Sequence, residues 1–143
     1  MGLLEIASGN SFWRGYDYYE RGKIKTCRKV DSQQYKGTVE GSNGRVYQVS
    51  IDLEHPKKST CTCPHAEGTR RVCKHKVALY FSFFPEAADK AIKEAEEWEK
   101  QEEERWEAEC KEIEEYVNSL TKQELREELL WRLLDEKEKS RWY

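Results

Sequence analysis

Cys61-Thr62-Cys63, nine residues, then Cys73-Lys74-His75 is the stretch on which the reading of this chain turns. Zinc asks for four thiolate or imidazole ligands in a closed tetrahedron, with sulfur at about 2.3 Å and nitrogen at roughly 2.0 to 2.1 Å. Two near pairs joined by a short loop supply them. Side chains two residues apart on an extended chain point the same way, so Cys61 and Cys63 grip one ion from a strand end; in a helix the same spacing splays them by about 200°. Cys73 is expected at or just before the first turn of a helix, where it and His75 both face the ion. All four positions are then filled, which leaves no room for water or substrate. The spacing therefore predicts one structural Zn2+ per chain, held by Cys61, Cys63, Cys73 and His75, and not a catalytic one.

Disulfides fit the same cysteines poorly. Neighbours at Cys-x-Cys bridge each other only with strain, the five cysteines are an odd number, and no secretory signal places the chain in an oxidising compartment. Cys27 and Cys110 lie far from the cluster in sequence and read as small hydrophobes. His65 competes with His75 for the metal, but Pro64 turns the chain away and His75 alone completes the second pair. His55, before Pro56 in a polar loop, reads as solvated.

The spacing resembles the SWIM zinc finger, a module named for Swi/Snf-type helicases and Mutator-type transposases. Upstream, Phe12-Trp13-Arg14-Gly15-Tyr16-Asp17-Tyr18-Tyr19 and Arg21-Gly22-Lys23-Ile24 resemble the aromatic, glycine-punctuated lead-in of small prokaryotic SWIM proteins. Cys73-Lys74-His75-Lys76-Val77-Ala78-Leu79 is similar to the family's helix start, and Leu120-Thr121-Lys122-Gln123-Glu124-Leu125 to a segment that often follows the finger. The resemblance covers residues 1–85 and, more loosely, 118–134. It implies a strand, strand, helix finger that contacts DNA or protein, and it implies no reaction. The motor and nuclease motifs of the larger proteins that carry this module are not found in the sequence.

Apolar and charged residues each make up 37% of the 143, where a globular chain has about 25% charged; part of the chain must be solvated helix. No segment approaches the roughly 18 to 20 apolar residues of a membrane span, and cytoplasmic residence is the expectation. The net charge of −3 hides an asymmetry. Residues 1–85 carry 14 Lys or Arg against 8 Asp or Glu, a net of +6, and residues 86–115 carry 5 against 14, a net of −9.

The expected fold class is α+β. A short aromatic helix capped by Asn10 or Ser11 ends at Gly22, and three antiparallel strands follow near 24–30, 34–41 and 45–53, with Asn43-Gly44 turning the second hairpin. Tyr47, Val49, Ile51 and Leu53 alternate with Gln48, Ser50 and Asp52, so one sheet face packs. The aromatic helix and the helix beginning near Lys74, with Val77, Ala78, Phe81 and Phe84, are its expected cover. Pro85 closes this module, 1–85. The remainder, 86–143, is expected to be a long acidic helix and a C-terminal helix. Trp106, Cys110, Ile113, Val117 and Leu120 step by four, three, four and three, a seam in the manner of a coiled coil. Its expected partner is the last helix, opened by Thr121 with Glu124 at capping-box spacing and carrying Leu125, Leu129, Trp131, Leu133 and Leu134, to make a helical hairpin.

No nucleophile with a base, phosphate loop or cleft-forming carboxylate pair stands out, so the sequence predicts neither catalysis nor a small-molecule substrate. Lys57, Lys58, Arg70, Arg71, Lys74 and Lys76 flank the ligands and are brought close by the metal, which predicts phosphate contacts without base reading. The alternative is a protein adaptor using the aromatic C-terminal helices.

Overall fold

The computed structural model describes residues 2–143. In chain order it has α1 (Leu3–Ile6), α2 (Gly9–Glu20), β1 (Ile24–Lys29), β2 (Gln34–Glu40), β3 (Val46–Asp52), a 3-10 turn (Pro56–Lys58), β4 (Thr60–Cys61), α3 (Lys74–Phe83), α4 (Pro85–Ser119) and α5 (Lys122–Arg141). The sheet is antiparallel with strand order β1-β2-β3-β4. The expected count of three strands is thus corrected to four. The fourth escapes a search for alternation because it has two residues, too few to show a period.

Local chemistry sets the boundaries. The Ser8 hydroxyl accepts the Ser11 amide at 3.1 Å and opens α2, so the cap is Ser8 and not Asn10 or Ser11. The helix closes on Gly22 at φ +66°, with the Gly22 amide on the Tyr19 carbonyl and the Lys23 amide on the Tyr18 carbonyl; a residue without a Cβ takes this left-handed angle at no steric cost. Gly44, at φ +77°, turns the chain between β2 and β3, and the Asn43 side chain accepts the Arg45 amide at 3.1 Å.

Tyr35 and Val39 of β2 and Val49 and Ile51 of β3 are buried on one face of the sheet. α3 lies directly on that face, and α2 packs on α3 from the other side. The expectation that both helices cover the sheet is corrected: the order of layers is sheet, α3, α2. A helix in the middle must be apolar nearly all round, and Val77, Ala78, Leu79 and Phe81 are all buried. Phe12, Tyr16 and Tyr19 of α2 close over Phe81 with ring centroids 5.6, 6.1 and 6.0 Å away.

Two compact units divide the chain between Lys93 and Glu94. The first holds the sheet, α1 to α3 and the opening turns of α4, where Ala88 is buried in the core. In the second, Thr121 and Glu124 form the reciprocal capping box that starts α5. The expected helical hairpin does not close. Trp106 is 65% exposed and Trp131 63%, and Ile113, Val117, Leu129, Leu133 and Leu134 are exposed as well. Among the described residues no helix is long and apolar enough to cross a membrane.

Candidate metal centre

Three elements deliver the four ligands. β4 pairs with β3 through Val49 opposite Cys61, which fixes Cys61 at the sheet edge. The next residues stay in register because the Thr62 amide donates to the Gln48 carbonyl at 3.1 Å and the Gln48 amide donates to the Thr62 hydroxyl at 3.0 Å. Cys63 therefore leaves on the same side as Cys61 and then turns, its carbonyl accepting the amides of Ala66 and Glu67. Cys73 is the extended residue before α3, at φ −80° and ψ 169°, and His75 lies in the helix's first turn.

The one ligating atom that each residue offers lies within 4.8 Å of all the others, and all four residues are buried. His75 Nδ1 is 3.7 Å from Cys61 Sγ and 3.9 Å from Cys73 Sγ. A zinc tetrahedron with the usual bond lengths has edges of roughly 3.5 to 3.8 Å, so the donor set fits that ion. The His75 ring lies between Tyr18 and Tyr47, with centroids 5.5 and 4.9 Å away, and its Nε2 is buried with no hydrogen-bond partner. Nδ1 is thereby the metal-facing nitrogen, and aromatic contact fixes the ring.

The Cys61 and Cys73 thiols are shifted in opposite directions. The Cys73 thiol is pushed down to about 3, chiefly by the hydrogen bond from Cys61, with His75 and the Lys76 amide adding to it against burial. Cys61 is pushed up by that same bond and by burial.

The remaining residues singled out in the sequence scatter. His65 is exposed and outside the four-ligand set, and His55 is exposed with its amide on the Asp52 carboxylate. Cys27 is exposed on β1, not a core residue, and Cys110 is half-buried on α4. Of the six cations, Lys57, Lys58 and Arg70 line one groove together with His55 and Glu54. Arg71 is exposed. Lys74 is half-buried with its ammonium over the Tyr18 ring at 4.8 Å. It lines a second groove of about 230 Å³ beside Cys73, with Ser8, Ser11, Arg14 and His65. Arg14, which the sequence shows only as part of the aromatic lead-in, is brought to this groove by α2. Lys76 is the clear correction. It is wholly buried, and its ammonium donates to the Arg71 carbonyl at 2.6 Å, so it is not available to a phosphate. A sequence reading takes lysine as exposed, and only α3's central position reverses that.

The family model of the SWIM zinc finger matches residues 47–83, the span from β3 through all four ligands to the last turn of α3. Residues 47–83 are thus similar to that finger, and Cys61, Cys63, Cys73 and His75 stand in them as a Cys3His set positioned to bind a metal. No curated protein and no solved structure matches the chain.

Proposed function

We propose that the zinc module is a non-enzymatic nucleic-acid binder that grips the phosphate backbone of DNA through Lys57, Lys58, Arg70, Arg71 and Lys74. The observation that carries this reading is the groove shared by Lys57, Lys58 and Arg70. The two lysines sit in the turn just before the first ligand strand and the arginine three residues before Cys73, so one metal ion fixes both walls. Lysine and arginine ends with no base-reading partner neutralise phosphates and position the protein on them without sequence preference. Zinc here organises the surface; with four protein ligands it keeps no site for a substrate.

Affinity for duplex DNA measured across a salt series tests the proposal. Neutralising about four phosphates gives a slope near −3.6 in log affinity against log salt. Replacing Lys57, Lys58, Arg70 and Arg71 together with Gln weakens binding to unrelated sequences alike and flattens that slope. A slope unmoved by the substitution refutes the assignment of these residues.

A second reading has its own support. The apolar seam of α4 and the leucines of α5 are exposed, and a protein partner that covers them makes the second unit an adaptor surface. Hydrophobic burial barely responds to moderate salt, whereas phosphate binding falls steeply. Salt response therefore separates the two.

A further inference from the structure

The sheet has a second face. Tyr35, Val39, Val49 and Ile51 point into the core under α3, so the residues that alternate with them point the other way. A groove of about 460 Å³ lies there, lined by residues of β1 to β4 and by Thr62, with no helix residue among them. Cross-strand register sets its chemistry. Arg28 stands directly opposite Lys36, Lys36 opposite Ser50, and Ser50 opposite Thr60, so one row begins in two cations and ends in two hydroxyls. Beside it run Thr26, Thr38 and Gln48, with the two threonine hydroxyls 2.8 Å apart. No carboxylate and no aromatic ring lines the groove. The acids on the same face lie outside it: Glu40 pairs with Lys25 at 2.9 Å, and Asp52 accepts the His55 amide.

Like charges directly opposite each other destabilise a strand pair. Among the described residues neither Arg28 nor Lys36 has a carboxylate partner, and both are exposed, so an anion from outside is what relieves their repulsion. We infer that this open sheet face is a second phosphate-binding surface, on which Arg28 and Lys36 hold two phosphates of a DNA duplex and the hydroxyls of the row donate to their oxygens. This surface presupposes that the module binds nucleic acid, as proposed above, and adds the sheet to the turn cations. Thr60 lies two residues after Lys58, so the row runs on into the turn that carries Lys57 and Lys58. Four strands at a spacing of about 4.8 Å make the row roughly 14 Å long, and a duplex presents a phosphate about every 1.7 Å of its axis. Stacking of single-stranded bases calls for aromatic side chains, which this face lacks.

The test uses the zinc-loaded full chain in three forms beside the parent: Arg28→Gln with Lys36→Gln, Lys36→Glu alone, and the variant with Gln at positions 57, 58, 70 and 71. Two further phosphates take the parent's expected slope from near −3.6 to about −5.4. Titration of one duplex over a salt series is expected to give the double variant a slope flatter than the parent's by about 1.8, with affinity lowered alike for unrelated sequences. Lys36→Glu puts opposite charges across the strand pair, so it is expected to melt higher than the parent and still to bind DNA more weakly. Weaker binding confined to variants that melt lower assigns the effect to the fold and overturns the inference. An unchanged slope and affinity in the double variant, with the fourfold variant flattened, also overturns it and leaves the turn cations to hold the DNA. A flattened double variant beside an unmoved fourfold variant keeps the sheet face and removes the turn cations. If the zinc-loaded parent binds no duplex at low salt, the nucleic-acid reading fails and the sheet face falls with it.

Discussion

Cys73 serves two structures at once. It is the residue at which extended chain becomes α3, and its sulfur belongs to the ligand set. The hydrogen bond from Cys61, with smaller contributions from His75 and the Lys76 amide, favours a thiolate there against the cost of burial. Replacing it removes a ligand and the anchor between helix and sheet edge together. Because structural zinc contributes about 10 to 16 kcal/mol in small finger peptides, Cys73→Ser is expected to lose the metal and unfold residues 55–85, not merely to loosen them. Elemental analysis and circular dichroism of the purified variant check this, and a variant that keeps a full equivalent of zinc refutes the ligand assignment.

Among the elements, α3 decides the architecture, since it touches the sheet on one side and α2 on the other. Its two approaches rely on glycine. A Cβ on Gly15 of α2 meets the Cβ and Cγ1 of Val77 at 2.5 Å, and one on Gly37 of β2 meets Leu79 Cδ1 at 2.6 Å. Gly15→Ala gains about 1 kcal/mol of helix propensity but forces two packed helices apart, an overpacking cost of about 1 to 3 kcal/mol. The expected result is a lower melting temperature. Gly9→Ala, in the same helix with nothing within 4 Å of the added Cβ, is the control and is expected to be neutral or stabilising. A Gly15→Ala protein that melts no lower than the parent shows that the α2 and α3 contact is looser than described. The sequence reveals much of this level and misses a definable part. The ligand pairs, the Gly44 turn and the Thr121 capping box are local patterns, readable from neighbours a few positions apart. The pairing of Cys61 with Val49, the central place of α3 and the burial of Lys76 depend on residues distant in sequence, and no local period encodes them. The seam of α4 carries the right spacing for a partner helix, yet spacing alone does not say which helix answers it.

Across the whole molecule, charge is distributed in blocks. Residues 94–143 carry 9 Lys or Arg against 18 Asp or Glu, a net of −9, while residues 1–93 carry 16 against 10, a net of +6. Every metal ligand lies in the basic part. Ending the chain after Lys93 therefore turns a formal −3 into +6 and keeps Ala88, which the core of the first unit buries. The shortened protein is expected to hold one zinc and to stay folded, because the sheet, α2 and α3 supply its core without α5. It is also expected to bind duplex DNA more tightly than the full chain at low salt, since a segment of net −9 on the same polypeptide repels a polyanion. The difference is expected to vanish near 1 M salt, where the screening length is about 3 Å. Titration of both proteins against one duplex at several salt concentrations, with metal content measured alongside, reads all three outcomes. Should the zinc-loaded short form fail to bind DNA or RNA even at low salt, the basic groove is not a phosphate site, and the exposed seam of α4 and α5 becomes the surface to which function is assigned.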